Sequence, residues 1–344
     1  MSPKNLTVKN KTHSYLLNKL KNKKVLNIYK RFEEYLNIDE NFIVAVSGGP
    51  DSLALTFLSK IYSIKKSLKP RYIIIDHKLR KNSTSEAEYV KKKLKKYLIN
   101  IDILTWNGLK PKKNIQSVSR KKRYSLLNKK AKELQINNIL LGHHKDDLFE
   151  NFFIRLLRGS GLKGLVSLDR KTKNDTINLF RPLLNFSKKD LIFISNFVFG
   201  SYVKDPSNND DKFKRIKIRN FLRQLEDQGL NRNKFFLTIK NLKISNETVK
   251  FYVNENLIEN TVFFDKKKSV ILKKCFFDHS QEVIFRSFTE IIKLIGKKYY
   301  PTRGKKIQNI LKLINTKYQI KVTLGGCVIK KVNETVMVSK EQKK

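Results

Sequence analysis

Acidic residues, cysteine and long apolar runs are the scarce features of this chain. Only 30 Asp and Glu stand against 74 Lys and Arg, so the 344 residues carry a formal net charge of +44. That imbalance argues against a basic partner and for a polyanion, nucleic acid first, drawn by long-range attraction and counterion release. A coding bias toward Lys and Asn accounts for roughly half of the excess, because basic runs alone are weak motifs. The two cysteines, Cys275 and Cys327, stand far apart, which excludes a disulfide framework or a zinc ribbon. No stretch approaches the roughly 18 apolar residues of a membrane span, and the opening MSPKNLTVKNKTHSYLLNKLKNKK lacks the core of a signal peptide. The reducing cytoplasm is the expected address. Also absent is G-x-x-x-x-G-K-[ST], so no kinase-like or GTPase-like phosphate loop is expected.

What is present has a regular order. FIVAVS (42–47), RYIIIDH (71–77), IDILTW (101–106) and NNILLGHH (137–144) read as strands. Between and after them lie helical patterns: SLALTFLSKIYS, a segment opened by the capping box STSE (83–86), residues 115–134, and Asp146 to Arg158. This alternation predicts an α/β fold, an open and mostly parallel sheet with helices on both faces and ligands at the carboxyl ends of the strands. After about residue 230 it stops. Helical segments near 234–258, 280–296 and 303–315, a short β-like stretch between the first two, and tail strands joined at Gly325-Gly326 and near Asn333 follow. The expected division is a nucleotide-binding domain over 1–228, with 1–40 as a helical lead-in. A smaller, mostly helical domain over 229–344 would end in a β-hairpin.

The sharpest local signal is Ser47-Gly48-Gly49-Pro50-Asp51-Ser52, between a strand and a helix. Two glycines let the backbone approach a phosphate chain, serine hydroxyls can donate to it, and the helix start offers free N–H groups and a positive dipole end. A plain tight turn with an N-cap is the competing reading. Gly159-Ser160-Gly161-Leu162-Lys163-Gly164 fits G-x-G-x-x-G but follows a helix, so it reads as a flexible loop and not as a dinucleotide site.

Here the chain resembles the ATP-pyrophosphatase group, with its SGGxDS loop, and within it the tRNA(Ile)-lysidine synthetase family. The segments that carry the resemblance are Ile75-Asp76-His77-Lys78-Leu79-Arg80, Arg120-Lys121-Lys122-Arg123-Tyr124, Gly142-His143-His144-Lys145-Asp146-Asp147 with Glu150, and Arg155-Leu156-Leu157-Arg158-Gly159. Arg181-Pro182-Leu183-Leu184 and Asp205-Pro206-Ser207-Asn208 with Phe213, Arg215 and Arg219 complete the ordered run over residues 42–222, and Thr323-Leu324-Gly325-Gly326-Cys327 in the tail is similar too. Asn151 and Lys204 depart from the pattern, standing where a threonine and an acidic residue are commoner.

The resemblance implies ATP and Mg²⁺ as cofactors, and L-lysine and the isoleucine tRNA with a CAU anticodon as substrates. Lysine would be joined to C2 of the wobble cytidine through an adenylated intermediate. A homodimer is left open. It implies ATP contacts from Ser47, Gly48, Gly49, Pro50, Asp51, Ser52, Asp76, His77, Gly142 and His143. Asp51, Asp147, Glu150 and Arg120 would carry the chemistry, Asp51 and Asp147 holding Mg²⁺. Arg80, Arg123, Arg155, Arg215 and Arg219 would meet tRNA or lysine.

The residues give partial support of their own. In DDLFENFFIRLLR, Leu148, Phe149, Phe152, Phe153, Leu156 and Leu157 make one apolar stripe, which leaves Asp147 and Glu150 together on the opposite face. Such carboxylates hold Mg²⁺, attract an amine, or simply favour a helix start. Adjacent His143 and His144 would point to opposite faces of an extended strand, which argues against a metal pair. Arg120 and Arg123, one turn apart, fit either a phosphate grip or a solvated face, as do Arg215 and Arg219. Three rivals follow from the same features. A tRNA thiolase is disfavoured by the missing cysteine pair, an amidating synthetase by the lack of an obvious glutaminase segment, and a non-catalytic basic RNA-binding protein predicts no ATP chemistry.

Overall fold

The computed structural model describes residues 13–80, 82–108, 111, 115–174, 176–203, 214–264, 268–297 and 302–342. Lys204, the DPSN segment and Phe213 lie outside them. The chain divides into two compact units, Met1–Asn231 and Arg232–Lys344.

A helical stretch over 13–18 and a 3-10 turn (Lys19–Lys21) precede helix α1 (Lys23–Leu36), whose start is capped by Asn22 accepting from the N–H groups of Lys24 and Val25. Then follow β1 (Phe42–Val46), α2 (Pro50–Lys65), β2 (Arg71–Asp76), α3 (Ser83–Lys95), β3 (Ile101–Thr105), α4 (Ile115–Glu133), β4 (Asn138–Leu140) and α5 (Lys145–Leu156). A single turn α6 (Leu162–Leu165), the strands β5 (Lys171–Asn174) and β6 (Ile177–Phe180), and helices α7 (Lys188–Phe199) and α8 (Lys214–Asp227) complete it. The sheet order is β3-β2-β1-β4-β6-β5, parallel throughout except for the hairpin of β5 with β6.

Period-two burial in β1 shows why helices cover both faces. Phe42, Val44 and Val46 join one core with residues of α1, α2, α3 and α7, while Ile43 joins Leu127 and Ala131 of α4 in another. The α/β expectation therefore holds. From β1 the chain steps outward through β2 and β3, then returns to lay β4 on the other side of β1. The strand order reverses between β1 and β4, and such a switch point leaves a crevice at the carboxyl ends of the two strands.

Three local readings change. Strand β4 ends at Leu140; Leu141 still donates its N–H to the Phe180 carbonyl of β6, and the chain then turns away so that α5 starts at Lys145. STSE opens α3 but is not a capping box: Asn82 is the N-cap without a side-chain bond, and the Ser83 and Thr84 hydroxyls donate to Asp76 instead. The GSGLKG stretch is not loop throughout, since Gly161 opens α6.

In the second unit, α9 (Arg232–Glu259) is followed by β7 (Thr261–Phe264), β8 (Ser269–Leu272), α10 (Gln281–Gly296), α11 (Gly304–Thr316) and the meander β9 (Gln319–Leu324), β10 (Cys327–Val332) and β11 (Thr335–Lys340). Here β8 pairs with β11, so the two β stretches expected apart form one antiparallel sheet of order β7-β8-β11-β10-β9. Val270, Leu272, Ile329, Val336 and Val338 of that sheet share a core with Phe288, Ile291, Ile292 and Ile295 of α10 and Ile307 of α11. Among the described residues no helix is long and apolar enough to cross a membrane.

Candidate active site

The SGGPDS segment links β1 to α2 at the switch point. Gly48 takes φ +79°, a left-handed conformation, and a Cβ there would stand 2.6 Å from Val90 Cγ2 and 3.3 Å from Val203 Cγ2. Both facts require glycine. The backbone N–H of Val203 donates to the Gly48 carbonyl at 3.0 Å, fixing one side of the loop. Ser52 fixes the other: its hydroxyl accepts from the Ser47 N–H at 3.1 Å and donates to the Gly49 carbonyl at 3.0 Å. Pro50 is the first residue of α2, and the N-cap Gly49 has no side chain to cap it. The amide groups of this helix start are thus available to an anion. Gly142, after β4, faces the start of α2, where a Cβ would lie 3.4 Å from the Ser52 nitrogen, in van der Waals contact.

Asp51, in the first turn of α2, receives the Lys188 ammonium on both carboxylate oxygens, at 2.7 and 2.6 Å. His144 sits beside it. As N-cap of α5, His144 accepts at Nδ1 from the Asp146 N–H and donates its own N–H to Asp147 Oδ2. An accepting Nδ1 places the neutral ring's proton on Nε2. That atom lies 3.7 Å from Asp51 Oδ2 and 3.7 Å from Asp147 Oδ2, so one ring links the phosphate loop to the acidic start of α5.

Asp147 and Glu150 are both buried, which changes the amphipathic reading of α5. Leu148, Phe149 and Phe152 of the apolar stripe are buried as expected, but Leu156 and Leu157 are exposed where the helix runs out from the core. Two arginines of α8 answer the carboxylates. Arg219 Nε donates to Glu150 Oε1 at 2.5 Å, and Arg215 Nη1 lies 3.6 Å from Asp147 and 3.9 Å from Glu150.

The carboxyls titrate in opposite directions. Burial raises Glu150, the negative charge of Asp147 adds to that, and Arg219 and Arg215 only partly oppose it. Burial also acts to raise Asp147, but His144, His143, the His144 N–H and Arg215 together hold it below the usual carboxylate range. His143 is pushed down to about 3, by burial first and then by Arg120, Arg181 and Arg215 against the pull of Asp147. It is neutral at pH 7.

Other expected residues are placed differently. Asp76 is occupied by its own chain, accepting from the Lys78 N–H, Ser83 and Thr84, and these bonds hold it low against burial. The Arg123 Nε donates to His77 Nε2 at 3.4 Å, and burial with that guanidinium pushes His77 down to about 4. The Arg120 guanidinium donates to the Tyr124 hydroxyl at 3.2 Å. Arg80 pairs with Glu86 at 2.9 Å, and Arg155 lies in the last turn of α5.

Lys188 was absent from the sequence reading. Its signal is an electrostatic oddity: Ser187 caps the helix by accepting from the Asp190 N–H and donates its hydroxyl to the Asp190 carboxylate, yet the helix starts with two lysines, Lys188 and Lys189. Cations at a helix N-terminus are disfavoured by the dipole, so one found there needs another reason. Arg181, buried and donating to the Asp169 carbonyl and Thr172, had no assigned role either.

A strand, SGGxDS loop and helix at the switch point of a parallel sheet define a PP-loop protein, and the PP-loop domain family matches residues 17–226. Full-length comparison narrows this. The chain is 32% identical over 304 residues to the tRNA(Ile)-lysidine synthase of Wolbachia sp. subsp. Brugia malayi (strain TRS), covering 88% of this chain and 70% of that protein. It is 33% identical over 332 residues to that of Orientia tsutsugamushi (strain Boryong), covering 92% and 74%. The chain belongs to the tRNA(Ile)-lysidine synthase family. Among solved structures, the U34-tRNA thiolase NcsA from Methanococcus maripaludis with its [4Fe-4S] cluster has a TM-score of 0.56 at 16% identity, covering 65% of this chain and 79% of its own. At that identity the likeness is one of fold.

Proposed function

We propose that the protein uses ATP to adenylate the wobble cytidine of the isoleucine tRNA with a CAU anticodon and then ligates lysine to it. Cytosine O2 attacks the α-phosphate and pyrophosphate leaves; the lysine ε-amine then attacks C2 and AMP leaves. The observation that carries this reading is the buried pair Asp147 and Glu150, joined to the phosphate loop through His144. A cationic amino acid needs fixed negative charge, and its amine, with a reference pKa near 10.4, must lose a proton before it attacks. Asp147, held ionised, suits the first task. Glu150, made more basic by burial and by Asp147, suits the second. Arg120 and Arg123 supply positive charge for phosphate and tRNA, while Arg215 and Arg219 hold the two carboxylates in place.

Mg²⁺ fits this site only with help from the nucleotide. No group of three or more His, Cys, Asp or Glu among the described residues could hold a metal by itself. Asp51 and Asp147, on either side of His144, match the one or two carboxylates with which Mg²⁺ is held against phosphate oxygens. When bound it would neutralise phosphate charge there.

The test is to incubate the protein with ATP, Mg²⁺, labelled lysine and the CAU-anticodon tRNA, then digest the tRNA and weigh its nucleosides. Label on cytidine is expected. Sulfur incorporation, or no product and no ATP–pyrophosphate exchange, would refute the reading in favour of a thiolase or a binding protein.

A further inference from the structure

We propose that Tyr124 and Arg181 are positioning residues for Arg120: the tyrosine hydroxyl joins the two guanidiniums, and Arg181 anchors the joint to the strands β5 and β6. The inference rests on the reading of Arg120 as a cation of the reaction site. Arg181, directly after β6, is 5% exposed, yet the oxygens it donates to are neutral. Its Nη1 bonds the Asp169 carbonyl at 2.8 Å and the Thr172 hydroxyl at 3.0 Å, and its Nε is buried without a hydrogen bond. A guanidinium sunk in the protein without a bonded carboxylate is costly, and the fold alone gives little reason for one, because a long apolar side chain would fill the same space.

What Arg181 meets on α4 supplies the reason. Arg120 and Tyr124, four apart, share a face of that helix. The Arg120 Nη2 donates to the Tyr124 hydroxyl at 3.2 Å, and the guanidinium carbon lies 5.3 Å from the centre of the ring. The same hydroxyl accepts from Arg181. Burial pushes the Arg181 guanidinium down, the Tyr124 hydroxyl acts against that, and the nearby Arg120 charge adds to the push. Guanidiniums donate and never accept, so two of them cannot bond each other and at close range they repel. An oxygen with two lone pairs is a group that can hold both. The tyrosine ring packs against the core that contains Leu127 and Ala131, which fixes the hydroxyl from behind. Arg120, by contrast, is exposed, and its charge acts on His143 beyond β4. A free arginine has much rotamer freedom to lose on meeting a substrate, and the joint lowers that loss by holding the fork ready.

A double-mutant cycle on kcat/KM for lysine transfer to the tRNA separates positioning from a general structural part. Tyr124→Phe removes the hydroxyl and leaves the ring in the core. It is expected to melt within a few degrees of wild type and to lose about tenfold in kcat/KM, the scale of one charge-assisted hydrogen bond. Arg120→Ala should lose at least as much. Adding Tyr124→Phe to Arg120→Ala should cost no more than about twofold further, because the hydroxyl then has no cation to aim. Arg181→Lys keeps the charge but lacks the fork that reaches Asp169, Thr172 and Tyr124 together, so it should lose as Tyr124→Phe does and add as little to Arg120→Ala. Losses that multiply in the double variants, or full activity in Tyr124→Phe, overturn the proposal. Wild-type activity in Arg120→Ala would remove the reading of Arg120 and the proposal with it, whereas an inactive wild-type chain would remove the proposed function itself.

Discussion

Asp51 at the phosphate loop and Glu150 on α5 are both carboxylates held by cations from a later helix, Lys188 of α7 and Arg219 of α8. Yet the Asp51 side chain is 23% exposed and the Glu150 side chain 2%. Arginine presents a planar fork of permanent charge and suits a fixed, buried pair, whereas lysine suits one that opens. Glu150 also keeps its second oxygen buried without a hydrogen bond, 3.9 Å from Arg215, so this end of the site has an acceptor to spare. The two ends thus differ in kind. At one a partly exposed carboxylate is held by a lysine; at the other two buried carboxylates are held by arginines, with one Glu150 oxygen left unbonded.

Removing each end should break a different half of the reaction. Asp51→Ala is expected to reduce tRNA-dependent ATP–pyrophosphate exchange by on the order of a hundredfold or more, because it removes charge placed at the reacting phosphates. Near-normal exchange would end the assignment of the loop. Glu150→Gln keeps the shape and removes the base, so exchange should persist while labelled lysine enters tRNA roughly ten- to a hundredfold more slowly. If both rates fall together, the two ends are not separate stations. Gly48→Ala strains a left-handed residue against Val90 and Val203, and an apparent loss of about 1–2 kcal/mol in stability is expected by chemical denaturation.

At the first end the loop was legible and Lys188 was not; at the second Asp147, Glu150, Arg215 and Arg219 were all named, but not how they pair. The apolar run Phe42–Val46, the glycine pair and the following helix are contiguous, so local propensity alone brings Ser47 to Ser52 together. Lys188 and Arg219 reach their carboxylates from far along the chain, and nothing in residue spacing fixes such distances. Ser83 misled in an instructive way: S-x-x-E is a capping signature, but a hydroxyl can serve only a few partners, and the buried Asp76 carboxylate took it. In the second unit the helices were readable by period. The sheet was not, since β8 finds its neighbour β11 across two intervening helices and two strands.

The smallest expected effect concerns pH and lies beside the loop, at His77 after β2. Its pKa is pushed down to about 4, by burial and then by Arg123, with Asp76 opposing. Above the unfolded value of about 6.5 the ring is neutral in both states and its contribution to stability is fully present. Between about 6.5 and 4 the unfolded chain takes up a proton that the folded chain refuses, so stability falls as pH falls through that window. His77→Gln removes the proton and should give a melting temperature that declines less between pH 6.5 and 5 than that of wild type, by about a degree or two. Identical slopes for the two proteins would mean that the ring takes up its proton as readily in the folded state as in the unfolded chain. Arg123 would then face a charged neighbour at 3.4 Å, and the region around the end of β2 would be open to water, as Asp51 is, and not closed, as Glu150 is.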